Sequence, residues 1–302
     1  MDSALRILPV FIVIGAGFVG RRLGFLPNSF RGPANRLVYY FAIPCLIFLK
    51  VVKAPFSEIL RPSWIVLTLA AIVLIWASAL LISRFMGLTH STRATFVHSS
   101  IHSNIGYIGL AAAFYGLGER GVQAASIFAP FFMLMNNALA VGTLRHFGGG
   151  EHSPLGFVKA LIIHPIILSS FAAMAYDFSG LPLPAMLEDS MSIMAGMSLP
   201  LALLLIGAGL NTEALGHAKI ATVSTLLKTL ALPALGGLLL TLAGAGGIER
   251  AAAVLLLSAP TATVTLILAN EMGGDAPLAS TAVTLSTLLS IGTLTLWLGI
   301  LG

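Results

Sequence analysis

Charge is scarce in this chain. Of its 302 residues only 9% are Asp, Glu, Lys or Arg, while 57% are hydrophobic. A soluble domain carries roughly 25% charged residues. So little polar surface cannot cover a soluble core of this size. The chain therefore reads as a polytopic, all-α membrane protein. Cysteine is nearly absent: Cys45 stands alone inside an apolar segment, which excludes an internal disulfide. Acidic residues number 11, and no two aspartates share the interior of an apolar segment. Glu271 and Asp275 sit near a segment end, as solvated loop residues do. No nucleophile has an obvious base beside it, so no enzyme is expected. Polar stretches are short as well. The longest between apolar segments, Arg145–Pro154, carries three glycines and marks the midpoint. No extramembrane domain is left over. The first segment lacks a cleavage site and reads as a retained helix. The net charge of +5 does not call for nucleic acid, because the basic residues lie in short loops where lipid head groups account for them.

Ten spans are expected, near 4–24, 33–53, 62–86, 92–117, 121–145, 156–176, 185–210, 217–243, 249–272 and 276–301. Helix breakers and caps recur 156 positions apart: Pro9 with Pro165, Gly24 with Gly180, Pro44 with Pro200, Gly118 with Gly274. Glu119 with Asp275 and Asn104 with Pro260 keep the same offset. Such residues mark geometry more than hydrophobicity. Residues 1–148 and 154–302 then form two five-span repeats. Five is odd, so the second repeat enters the membrane from the other side. This 5+5 inverted repeat is an architecture of alternating access.

Two stretches interrupt spans that should be uniform. Ser103–Gly109 (SNIGYIG) places Asn104 and Gly106 in span four, and Ser258–Thr263 (SAPTAT) places Pro260 in span nine. Broken backbone at membrane depth is tolerated only against protein or a water-filled cavity. Paired breaks in corresponding places point to a transporter binding site. Thr261 and Thr263 flank the proline; their hydroxyls either satisfy the freed carbonyls or face the substrate. Asn136 and Asn137 in span five either line the cavity or hydrogen-bond between helices.

Three ionisable residues lie deep. Lys228 is about 15 Å into span eight at 1.5 Å per residue, and its repeat counterpart is Ile72. It either neutralises the negative ends of broken half-helices, attracts an anion, or snorkels. His98 and His102, four apart, share one face. With no acid or thiol nearby they make no metal site, and read as a polar interface or a proton-linked pair. Gly15, Gly17 and Gly20 fit the dinucleotide pattern GxGxxG. The first acid after them is Glu58, too distant to hold a ribose, so close helix packing is the plainer reading.

Several pieces in this order resemble the auxin efflux carrier family, in its bacterial branch of malonate, malate and lactate type permeases. They are Leu37–Phe48 (LVYYFAIPCLIF), Asn104–Gly109 (NIGYIG), Ser198–Leu210 (SLPLALLLIGAGL), Lys228–Pro233 (KTLALP), Ala259–Glu271 (APTATVTLILANE) and Leu278–Leu298 (LASTAVTLSTLLSIGTLTLWL). The resemblance spans essentially the whole chain. It implies ten helices and a fold similar to bile-acid and sodium/proton carriers. Spans 1, 2, 6 and 7 would form a scaffold, and spans 3–5 and 8–10 a transport domain. Spans 4 and 9 would cross at the site, with a homodimer through the scaffold. Asn104 falls on the family's crossover asparagine and Pro260 on its span-nine proline. Ala111 stands where many members have a proline.

The expected function is secondary active transport of small organic anions, mono- or dicarboxylates, across a bacterial cytoplasmic (inner) membrane. Substrate would meet Asn104, Gly106, Asn136, Asn137, Pro260, Thr261 and Thr263, with Lys228, His98 and His102 in electrostatic or coupling roles. No cofactor is expected, and coupling to protons or sodium stays open. The alternatives are a membrane-anchored nucleotide-binding oxidoreductase using Gly15–Gly20, or a channel or sensor of the same fold. Nine Lys and Arg residues fall on the side of Arg21, Arg36 and Lys159, and six on the side of Arg6, Lys50 and Arg250. Inside-positive bias then puts both termini outside. A topology reporter fused at residue 150 should be active only in its cytoplasmic form; activity only outside would reverse the orientation.

Overall fold

The computed structural model describes residues 2–54, 61–148, 164–211 and 217–301. Among these residues the chain is helical, with no strand and a single antiparallel bridge, Ser103 to Thr261. Among the described residues seven helices are long and apolar enough to cross a membrane. They cover Ala4–Arg22, Asn28–Val52, Pro62–Phe85, Ile105–Gly148, Ala185–Gly209, Ala218–Leu242 and Ala276–Leu301. Three of the ten expected segments are not among them as such. The fourth and ninth are interrupted into shorter pieces. The sixth begins outside the described residues and appears as Pro165–Phe178. The expected midpoint connection also lies largely outside them.

The local structure follows from the breakers. α1 (Asp2–Arg22) is followed by α2 (Asn28–Leu37), a wide π turn at Val38–Ala42, and α3 (Ile43–Val52). Pro44 stands at the start of α3. Its ring clashes with the carbonyl four residues earlier, which widens the preceding turn. Pro233 acts in the same way on Leu227–Ala231, between α10 (Ala218–Leu226) and α11 (Leu232–Leu242). The carbonyl four residues before it belongs to Thr229, and the Trp297 indole donates to it at 2.8 Å. The run Ile105–Gly148 would measure roughly 66 Å at 1.5 Å per residue, about twice a bilayer core. It is not straight. Gly118 has φ 74° and ψ −161°, a backbone conformation that favours glycine, and turns the chain there.

Element bounds recur as the sequence offset does. α1 ends at Arg22 and α7 (Pro165–Phe178) at Phe178, 156 positions apart. Gly24 and Gly180, two residues past those ends, both have positive φ. α4 (Pro62–Phe85) and α10 begin 156 positions apart as well.

α8 (Ala185–Gly196) leads into α9 (Ser198–Gly209), and α1 packs on α9 through glycines. A Cβ at Gly17 would lie 2.1 Å from the Leu204 carbonyl oxygen, and one at Gly207 1.8 Å from that of Ile14. Gly15, Gly17 and Gly20 are thus mid-helix residues, one of them in close contact. A dinucleotide fingerprint needs a strand-to-helix turn, so the nucleotide reading has no structural footing.

Polar contacts sort to two ends of the bundle. Lys50 pairs with Glu119 at 2.7 Å, and Lys53 with Glu188. At the other end Arg21 donates to the Ala208 and Leu210 carbonyls, and Thr92 to Asp275. These ion pairs are partly exposed and contribute little to stability; the glycine contacts matter more. Gly207→Val should destabilise the purified protein by about 1–3 kcal/mol or prevent folding, because the backbone cannot yield. Gly15→Ala, with nothing within 4 Å of a new Cβ, should melt at or above the wild-type temperature. Equal melting of the Gly207→Val protein would disprove the tight α1–α9 contact.

Candidate functional site

Helix α5 (His90–Ile101) stops where His102 turns to extended backbone. A π turn at Ile105–Gly109 then opens α6 (Leu110–Gly148). The interruption lies at 102–104, well before Ala111, so it needs no proline there. Helix α12 (Gly247–Ser258) stops in the same manner and α13 (Val264–Glu271) resumes beyond it. The two gaps lie side by side. The Asn104 N–H donates to the Pro260 carbonyl at 2.8 Å, and the Ala262 N–H to the His102 carbonyl at 2.9 Å. Pro260 has no N–H of its own to leave unpaired.

A helix C-terminus leaves orphan carbonyls. Thr261 serves the first half-helix: its Oγ1 donates to the Ser99 carbonyl at 3.0 Å, while its N–H donates to Ser286 Oγ at 3.0 Å. Lys228 serves the second: its Nζ donates to the Leu257 carbonyl at 2.5 Å. Lys228 is completely buried. The π turn that Pro233 imposes holds it beside that helix end. Behind the first gap, His98 Nε2 and His102 Nδ1 share one proton contact at 2.8 Å. The other ring nitrogen of His98 is buried without a partner.

Against the paired gaps lies a cavity of about 480 Å³, within the usual range for small-ligand sites. One wall is the interrupted pair: His102, Ser103, Asn104, Gly106 and Thr263 line it, with Asn137 from α6. The opposite wall comes from elsewhere in the chain. Asn35, Arg36, Tyr39 and Tyr40 line it from the helix of residues 28–52, and His164 and Ile166 from the start of α7. The walls touch where the Tyr107 hydroxyl donates to Asn35 Oδ1 at 3.2 Å. The His164 ring stands edge-on to Tyr39, with centroids 5.1 Å apart. The Nδ2 of Asn104 and the Nδ1 of His164 are buried with no hydrogen-bond partner. Among the described residues no carboxylate lines the cavity. Among the described residues no cluster of three His, Cys, Asp or Glu side chains could hold a metal.

Of the residues singled out from sequence, Asn104, Gly106, Asn137, Thr263 and His102 meet at this cavity. Pro260 and Thr261 lie one layer behind, in the bridge. Asn136, His98 and Lys228 are buried and do not line it. Sequence reasoning missed Asn35, Tyr39, Tyr40, Tyr107 and His164 as lining residues, and counted Arg36 only as a loop charge. The available signal was a cluster of polar and aromatic residues at the start of an otherwise apolar span.

A family model described as membrane transport protein matches residues 3–139 and 155–298. A protein of Rhizobium meliloti (strain 1021) named "Putative malonate transporter" is 30% identical over 297 residues, covering 96% of this chain and 92% of its own. An uncharacterized transporter of Methanothermobacter thermautotrophicus is 27% identical over 299 residues, with 98% of each chain covered. One of Methanocaldococcus jannaschii is 24% identical over 298 residues, with 96% of each covered. With matches along nearly its whole length and apolar helices of membrane-spanning size, the chain belongs to the membrane transport protein family, that of the auxin efflux carriers, as a multi-pass transporter and not an enzyme.

Proposed function

We propose that the protein is a secondary active transporter of small organic anions, mono- or dicarboxylates, across the cytoplasmic membrane by alternating access. The observation that carries this reading is the cavity laid against two interrupted helices. Asn104 is among its lining residues and its buried Nδ2 has no hydrogen-bond partner, and no acid is among the described lining residues. A carboxylate accepts from such an amide, and from the free N–H groups at the start of a helix beyond a break. The name of the Rhizobium relative, with malonate as its cargo, supports the same class.

In this reading the chain crosses ten times, as two inverted five-span repeats. The recurrence of helix ends at Arg22 and Phe178, and of helix starts at Pro62 and Ala218, supports the repeat. Spans 1, 2, 6 and 7 form the scaffold and the site of a homodimer; spans 3–5 and 8–10 carry the substrate. Both termini face outside. In the same reading the cavity opens towards the end that holds Asn28 and Gly148; Arg36 and Tyr40, which line it, are exposed. By the distribution of basic residues that end is cytoplasmic. Lys228 keeps the broken ninth span in place by neutralising a helix C-terminus and does not touch the cargo. No cofactor enters. The driving ion, proton or sodium, is read out by repeating uptake with each gradient imposed alone.

Two variants test the site. Asn104→Ala should weaken binding of carboxylates to purified protein by roughly ten- to a hundred-fold, the worth of one hydrogen bond to a charged group. Its melting temperature without ligand should stay close to wild type. Unchanged affinity would remove Asn104 from the site. Lys228→Met should leave equilibrium affinity within about threefold but slow uptake into proteoliposomes at least tenfold, with Lys228→Arg retaining some activity. Full uptake by the Met variant would reduce Lys228 to a snorkelling residue.

A further inference from the structure

We propose that Arg36 selects the cargo by charge: its guanidinium takes the second carboxylate of a dianion whose first carboxylate is held at the interrupted helices. This rests on the transport reading above and adds to it a residue on the opposite wall.

Four observations point the same way. Among the described residues that line the cavity, Arg36 is the one formally charged side chain, and none is an acid that could neutralise it. No hydrogen bond or ion pair engages it among the described residues, in contrast to Arg21, Lys50 and Lys53. Asn35, Arg36, Tyr39 and Tyr40 are one helical turn apart in pairs, and all four line the cavity, so that face of the helix is turned to it. Lastly, the two walls meet beside both residues. Tyr107 lies three residues, about one turn, beyond Asn104, and its hydroxyl reaches Asn35, the neighbour of Arg36, at 3.2 Å.

The chemistry suits a second carboxylate. Guanidinium presents a planar fork that matches a carboxylate with two parallel hydrogen bonds. A monoanion held at Asn104 leaves that fork in water and gains nothing from it. A dianion gains a second charge-assisted contact, directly or through one of the waters that the cavity has room for. Preference for the dianion is therefore a property of the wall opposite the interruptions.

The test compares malonate and succinate with their monomethyl esters, which keep the shape and remove one charge. Binding to purified wild type, Arg36→Gln, Arg36→Lys and Asn104→Ala is measured by calorimetry or thermal shift. Wild type should bind each diacid at least tenfold more tightly than its monoester. Arg36→Gln should collapse that ratio towards one by weakening the diacid alone, and Arg36→Lys should keep part of it. Asn104→Ala should weaken all four ligands and preserve the ratio. A wild-type ratio near one overturns the inference. So does a ratio unchanged in Arg36→Gln, which would leave Arg36 as a lipid-facing charge, or equal weakening of diacid and monoester, which would make it a general field. In those cases a loss of binding in Asn104→Ala still upholds the site. If wild type binds none of the four, the carboxylate reading itself fails, and this inference with it.

Discussion

The centre of this molecule depends on how broken backbone is satisfied away from water. Each interruption leaves carbonyls and N–H groups that a continuous helix would have paired. Unpaired in an apolar setting, each such group costs several kcal/mol. The structure pairs the interruptions with one another. The bridge between Ser103 and Thr261 supplies two backbone hydrogen bonds, and the Thr261 hydroxyl closes the end of α5. Straightening one helix would strip the other of its partners. The two gaps are therefore stable only together, and the helices that carry them are tied into one body.

The tie is not symmetrical, although some helix bounds recur at a constant offset. The end of α5 receives the hydroxyl of Thr261; the end of α12 receives the amino group of Lys228. A helix C-terminus carries roughly half a negative charge, so a cation there is favourable. The position equivalent to Lys228 in the first half is Ile72, buried and apolar. A fully buried polar group is costly unless it is hydrogen-bonded. Here the Leu257 carbonyl accepts from Lys228 Nζ. The same contact explains why Lys228 lies outside the cavity: its long stem is turned towards the backbone of the break.

Much of this was legible in the sequence, because it is written in residues that backbone geometry demands. Asn104, Gly106 and Pro260 announced the gaps, and paired glycines and prolines marked helix ends that recur 156 positions apart. Gly17 and Gly207 illustrate the limit. Their type suggested close packing, but only the fold shows that Leu204 and Ile14 are what they meet. The second wall of the cavity was not legible. Asn35, Arg36, Tyr39 and His164 come from two helices far apart in sequence, and no local pattern sets them opposite Asn104. Arg36 in particular looks like any basic residue at a span end. Lys228 was recognised as costly, but whether it faced a ligand or a carbonyl depended on a turn widened by Pro233.

The division of the cavity between two sets of helices has a mechanical consequence. Asn104 and Thr263 belong to the interrupted pair; Arg36, Asn35 and His164 do not. On the transport reading, one set moves against the other and takes the cargo with it. Contacts to the interrupted pair then travel with the ligand, and contacts to the opposite wall are given up. Only interactions that differ between two states shift the balance between them. A dianion spanning both walls accordingly favours the conformation described here, and must release Arg36 before it can cross. A monoanion held at the interruptions faces no such step. Affinity on this side and speed of crossing are thus opposed through one residue.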